Sequence, residues 1–284
     1  MAEGTGRLAA ALSGSALPGA LTGRPLLEVS GLSKAFGGLR AVRDLSFTIA
    51  EGEILGVVGP NGSGKTTVFN LIAGALRPDA GEVHLSGRRI TTAPPSRRSA
   101  LGIARTFQLV RALTGLTVLE NVLVAAMYGR APPSRPGAEA ETAGGRPGSG
   151  PRSLADPRSE ALRLLELVGL ASWAEVFARY LTLAQRKQVE IARALATRPL
   201  LLLLDEPLAG LNPTEVAAML ALFRKIHAEG VTLALVEHNV VAVRALCGRL
   251  LVLNSGRLIA EGRPDEALAQ PEVIEVYLGA HAAH

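Results

Sequence analysis

The chain has 284 residues, 48% of them hydrophobic, which excludes a disordered polymer and provides for one large domain or two small ones. Its formal charge of +5 suits phosphate ligands, an anionic membrane surface or nucleic acid without choosing among them. The lone cysteine, Cys247, excludes an intrachain disulfide and fits a reducing compartment.

In chain order, residues 1–25 read as a disordered tail, a poor match to a secretory signal. Residues 26–29 and 41–49 read as strands, the second with a partly regular alternation in Val42, Leu45, Phe47 and Ile49, and together they predict an antiparallel flap. The apolar run 54–58 leads into Gly59, Pro60, Asn61, Gly62, Ser63, Gly64, Lys65, Thr66 and Thr67, then a helical stretch over 68–75. That string is a phosphate-binding loop in its strand-to-helix setting. Its glycines let successive N–H groups face phosphates, and the helix adds the positive end of its dipole. Lys65 is placed to reach the β and γ oxygens of a nucleoside triphosphate, and Thr66 to offer its hydroxyl to Mg²⁺.

A turn over 77–81 and a strand over 82–85 follow. Helical spacing marks 118–127 and 159–168. Between them, 129–158 is dense in Gly and Pro and has no aromatic, which predicts a mobile insert within one helical subdomain rather than a nucleic-acid arm. After a helix over 185–197, the five leucines 200–204 predict a buried parallel strand, because the run is short and does not alternate. Strands are expected again at 231–236 and 250–253, and helices at 214–227 and 239–246, which implies a parallel sheet with helices on its faces. No apolar window is long enough to span a bilayer, since even the leucine run is closed by Asp205 and Glu206.

Those two carboxylates stand at the sheet's carboxyl edge, where open α/β sheets place ligands. Asp205 fits a holder of Mg²⁺ and Glu206 a general base for an attacking water. Neighbours on a strand point to opposite faces, so both can serve one site only if the strand ends there, as Pro207 suggests. The five histidines do not stand with Cys247 or with carboxylates at metal-ligand spacing, so no zinc site is expected.

With these motifs in this order, the chain resembles the ATP-binding subunits of ABC transporters over residues 26–279. The resemblance implies an α/β P-loop NTPase with a RecA-like mixed sheet, an antiparallel β subdomain and an α-helical signature subdomain. It implies a core over 26–105 and 189–262, a helical subdomain over 106–188 and C-terminal helices over 263–280. It assigns Phe36 to adenine stacking, and Gln108, in Thr106-Phe107-Gln108, to Mg²⁺ and the lytic water. It assigns His238 to the γ-phosphate, and Thr182, Ala184 and Gln185, within the signature segment Leu181 to Gln185, to a partner's ATP.

That segment lacks the family's two glycines, and Asn212 stands where the family usually carries an aspartate. These departures resemble the branched-chain amino-acid importers, as do Phe36-Gly37-Gly38-Leu39 and the tail from Ala260-Glu261-Gly262 to Tyr277-Leu278-Gly279. Likeness to that branch implies uptake of a small polar solute powered by ATP hydrolysis at the cytoplasmic face of the membrane. It also implies a second, different ATP-binding subunit, membrane permeases, an external solute-binding protein and no nucleic-acid partner. Two alternatives stay open: a soluble ATPase of this type acting on nucleic acid or the ribosome, opposed by the lack of coiled-coil heptads, and a catalytically weak regulatory subunit, opposed by Glu206, Gln108 and His238.

Overall fold

A computed structural model describes residues 24–106, 112–128 and 156–281. Gln108, nearly all of the expected tail and most of the Gly/Pro-rich insert lie outside the described residues. Strands β1 (Pro25–Phe36) and β2 (Leu39–Ala50) form a hairpin, and β3 (Ile54–Val58) leads through the Gly-rich loop into helix α1 (Lys65–Ala73). Strands β4 (Ala80–Leu85) and β5 (Arg88–Arg89) return to the hairpin, completing an antiparallel sheet in the order β2-β1-β4-β5. The imperfect alternation of β2 has a cause. Asp44 adopts φ 49 and the ladder to β1 shifts on either side of Leu32, so Val42 and Leu45, three positions apart, both turn inward.

Helix α2 (Pro95–Leu101), strand β6 (Ile103–Arg105), and helices α3 (Val118–Tyr128), α4 (Pro157–Leu167) and α5 (Leu183–Ala196) precede the leucine strand β7 (Leu201–Asp205). Then come α6 (Pro213–Ala228), β8 (Thr232–Val236), α7 (Val240–Leu246), β9 (Arg249–Asn254), β10 (Arg257–Gly262), α8 (Pro264–Leu268) and α9 (Pro271–His281). The second sheet runs β10-β9-β3-β8-β7-β6, parallel except for the edge strand β10, so the α/β mixed-sheet expectation holds.

The leucine strand shows why a buried parallel strand need not alternate. Leu202 and Leu204 join the core built from the helices, with Leu165, Ile191 and Phe223, while Leu201 and Leu203 join the one shared by α1 and the antiparallel sheet, with Phe69, Ile72 and Val83. Both faces are covered, so polar residues have no place on either. Elements α2, β5, β6 and β10 were not anticipated. Helix α4 also begins inside the segment expected to be a mobile insert, because Asp156 accepts a hydrogen bond from the Arg158 N–H and Pro157 supplies the first helical position.

Arg98 on α2 fastens α1 from behind. Its guanidinium donates to the Leu71 and Ile72 carbonyls at 2.6 Å each, to Thr91 O at 2.8 Å and to Ala93 O at 2.9 Å. The cation thereby satisfies the carbonyl end of the helix that carries Lys65, where the dipole favours positive charge. Burial lowers its pKa to about 10, which leaves it charged at neutral pH. Arg98→Met would strand several buried carbonyls, and we expect a loss of about 3 kcal/mol in stability, since each unmet buried group costs on the order of 1–3 kcal/mol. Thermal denaturation should then fall by about 6–12 °C; a change below about 2 °C would remove the capping role.

Candidate functional site

Strand register gathers the motifs. Val57 of β3 and Asp205 of β7 both pair with Val236 of β8, so these strands end in one row and release Gly59, Glu206 and Glu237 at one sheet edge. Glu206 leaves the extended conformation at φ 49, with its N–H donating to Val236 O at 3.0 Å. The strand does end at Asp205, so the two adjacent carboxylates escape strict alternation.

The Gly-rich loop is braced by backbone on both sides. An added Cβ at Gly59 (φ 148) would lie 2.1 Å from Leu253 O, and one at Gly64 (φ 103) would lie 2.4 Å from Ala41 O. Only glycine fits at these approaches. Gly256 N–H further donates to Ser63 O at 3.0 Å, tying the loop to the β9–β10 turn. Asn61 and Gly62 are exposed at the crest, Pro60 and Thr67 are half-buried, Ser63 is buried and Thr66 faces solvent. Lys65 Nζ donates to the Gly59 and Pro60 carbonyls at 2.8 Å each. Burial lowers its pKa, while the Glu206 and Asp205 charges act in the opposite direction.

Asp205, 1% exposed, accepts a hydrogen bond from Arg105 Nη2 at 2.6 Å through Oδ2 alone. Its buried Oδ1 has no hydrogen-bond partner among the described residues. A buried anionic oxygen without a donor is what a hard cation or its water would satisfy, so Asp205 fits a ligand of Mg²⁺. Glu206 Oε1 lies 2.8 Å from His238 Nε2. Neighbouring Glu237 is buried and accepts from the backbone N–H groups of Leu208 at 2.7 Å and His238 at 3.2 Å. Burial raises its pKa despite those donors.

Other expected residues stand as follows. Phe36 ends β1, 46% exposed, with Lys34 Nζ 5.7 Å from its ring centroid. Thr182 caps α5 in a capping box, its hydroxyl accepting from Gln185 N–H and the Gln185 side chain accepting from Thr182 N–H. The Gln185 amide is thus engaged within the chain, while Ala184 lies in the helix's first turn. Asn212 makes the same kind of box with Glu215 at the start of α6, a task an uncharged amide performs as well as a carboxylate.

Sequence reasoning missed four residues that touch this site. Arg105 and Asn70 reach Asp205 as a chain, with Arg105 Nη1 donating to Asn70 Oδ1 at 2.5 Å. Lys187, on the same helix as Thr182, donates to the Glu206 carbonyl at 3.1 Å and the Pro207 carbonyl at 3.0 Å. The Tyr277 hydroxyl, from the C-terminal helix, has its pKa raised by burial and is bonded by the Gly59 backbone. Only Tyr277 had a visible signal, the tail motif in which it sits.

Comparisons with known proteins bear on the family of the chain. The ABC transporter family model matches residues 42–209, and that of the branched-chain amino acid ATP-binding cassette transporter matches residues 257–283. The high-affinity branched-chain amino acid transport ATP-binding protein BraF of Pseudomonas aeruginosa is 38% identical over 267 residues, covering 90% of this chain and 98% of that protein. The corresponding LivG of Salmonella typhimurium is 37% identical over 257 residues, again covering 90% and 98%. Among solved structures, the ADP conformation of the cassette MJ1267 superposes with a TM-score of 0.77 at 31% identity over 90% of this chain and 99% of that one. A dimeric post-hydrolysis state of the cassette MJ0796, bound to ADP and Pi, gives 0.69 at 25% identity over 84% and 98%. The chain belongs to the ABC transporter family of ATP-binding cassettes.

Proposed function

We propose that the chain is the ATP-hydrolysing subunit of an importer for branched-chain amino acids, peripheral to the cytoplasmic face of the membrane. The reading rests above all on one observation, the Glu206 carboxylate 2.8 Å from His238 Nε2 on the same sheet edge as the Lys65 loop. In this reading, the backbone N–H groups of residues 61–67 and the Lys65 ammonium hold the β- and γ-phosphates. Phe36 stacks on the base. Glu206 orients a water in line with the γ-phosphate and accepts its proton, and His238, whose Nε2 meets Glu206, contacts the γ-phosphate when ATP is bound. Thr66, Asp205 and Gln108 would hold Mg²⁺, which when bound would supply positive charge to the phosphate oxygens.

The signature segment, with Thr182, Ala184 and Gln185, covers the ATP of a second, different cassette, and that partner returns the contact. Support comes from the named branched-chain relatives, from the C-terminal match and from the dimeric cassette among the structural neighbours. No helix among the described residues is long and apolar enough to cross a membrane. We assign the crossing to permease subunits, with a solute-binding protein delivering the amino acid. A groove of about 420 Å³ between α1, α2, β6, α3 and α5, lined by Ala73, Ile103, Ala125 and Ala194 with Glu190 and Arg193, offers the permease a mostly apolar seat.

The test is reconstitution into proteoliposomes with the permeases and second cassette that co-purify with this chain from membranes, followed by uptake of labelled leucine. Expected is uptake that requires internal ATP and the binding protein. ATPase activity stimulated by nucleic acid or ribosomes, without any membrane partner, would instead select the soluble alternative.

A further inference from the structure

We propose that Arg105 is a positioning residue for the metal, setting which oxygen of Asp205 meets it and coupling that choice to the nucleotide-loop helix. The guanidinium holds Oδ2 at 2.6 Å and Asn70 Oδ1, on α1, at 2.5 Å. Asp205 and Arg105 side chains are only 1% and 8% exposed, so water competes weakly for these bonds. With Oδ2 fixed, the rotation that remains to the carboxylate is small, and Oδ1 is the oxygen left without a donor.

The arrangement spans three elements: Arg105 ends β6, Asp205 ends β7 beside it in parallel register, and Asn70 lies on the helix that begins with Lys65. A planar, forked donor can bridge a carboxylate and an amide at fixed angle, which a lysine cannot. Groups that orient a metal's ligands commonly change metal affinity about 10- to 100-fold when removed. Arg105 also adds positive charge near the cation, and loss of that charge alone would tighten metal binding. The two effects have opposite signs, so the measurement discriminates between them.

The inference rests on the nucleotide and Mg²⁺ reading above. The experiment uses the full chain with a fluorescent, non-hydrolysable ATP analogue, titrated with Mg²⁺ and repeated with Mn²⁺ followed by electron paramagnetic resonance. For Arg105→Met we expect the half-saturating metal concentration to rise about tenfold, with analogue affinity in EDTA unchanged. Asn70→Leu should shift it in the same direction by a smaller factor, and Arg105→Lys should recover only part. Asn70→Leu keeps the test available should Arg105→Met fail to fold, which circular dichroism would reveal. Unchanged or tighter metal binding in a folded variant would overturn the assignment, as would an equal loss in EDTA, which marks mere damage to the loop. A wild-type chain that binds no analogue, or binds it without regard to metal, would defeat the nucleotide or Mg²⁺ reading and the Arg105 assignment with it, whereas a wild-type metal response left unchanged in folded Arg105→Met defeats the assignment alone.

Discussion

Glu206→Gln in the assembled complex is expected to lower ATP turnover at least about 100-fold while nucleotide affinity stays within about twofold, the range set by removing a general base. Glutamine keeps the length and planarity of the side chain, and its amide can still meet His238 Nε2 across the 2.8 Å separation in the imidazole's other tautomer. The backbone at φ 49 is held independently of the side chain, by the Val236 carbonyl and by Lys187 on the Glu206 carbonyl. What the amide cannot do is accept a proton from water. Single-turnover hydrolysis and analogue binding measured on the same preparation separate the two quantities. Turnover within tenfold of wild type would remove Glu206 as the base, and a parallel loss of binding would make it a structural residue.

The residues legible from sequence are those whose chemistry is local. The Gly-rich loop carries its spacing, its lysine and its strand-to-helix setting within a dozen residues, and the leucine strand announces burial by composition. The pairing of Asp205 with Glu206 was legible only as a question, because alternation forbids both from serving one site. The turn of Glu206 out of the strand answers it. What stayed hidden depends on distance along the chain. Arg105 meets Asp205 and Arg98 meets Leu71 only after the chain has folded, and a lone arginine in sequence carries no sign of its partner. Lys187 read as an ordinary member of the signature helix, yet it binds the carbonyls of the proposed base and its neighbour. Asn212 read as a lost charge and proves to be a helix cap, since capping needs an acceptor oxygen and not a negative one.

Lys65→Met, by contrast with Glu206→Gln, is expected to weaken nucleotide binding about 10- to 100-fold and to abolish turnover with it, because charge-assisted hydrogen bonds to phosphate are worth on the order of 1.5–3 kcal/mol. The ammonium is already aimed by the loop that it serves, with the Gly59 and Pro60 carbonyls each 2.8 Å away and Ser63 Oγ at 3.4 Å. Little side-chain entropy therefore remains to be lost when phosphate arrives. Burial lowers the pKa of this amine, but the facing Glu206 and Asp205 carboxylates oppose the fall and favour the charged form. Arginine should not rescue the variant: its broad planar fork cannot enter a space bounded by two backbone carbonyls, where a compact point charge fits. Isothermal titration with ATP on Lys65→Met, Lys65→Arg and Glu206→Gln then sorts the site into a binding half and a proton-transfer half. Wild-type affinity in Lys65→Met would show that the backbone cradle alone holds the triphosphate.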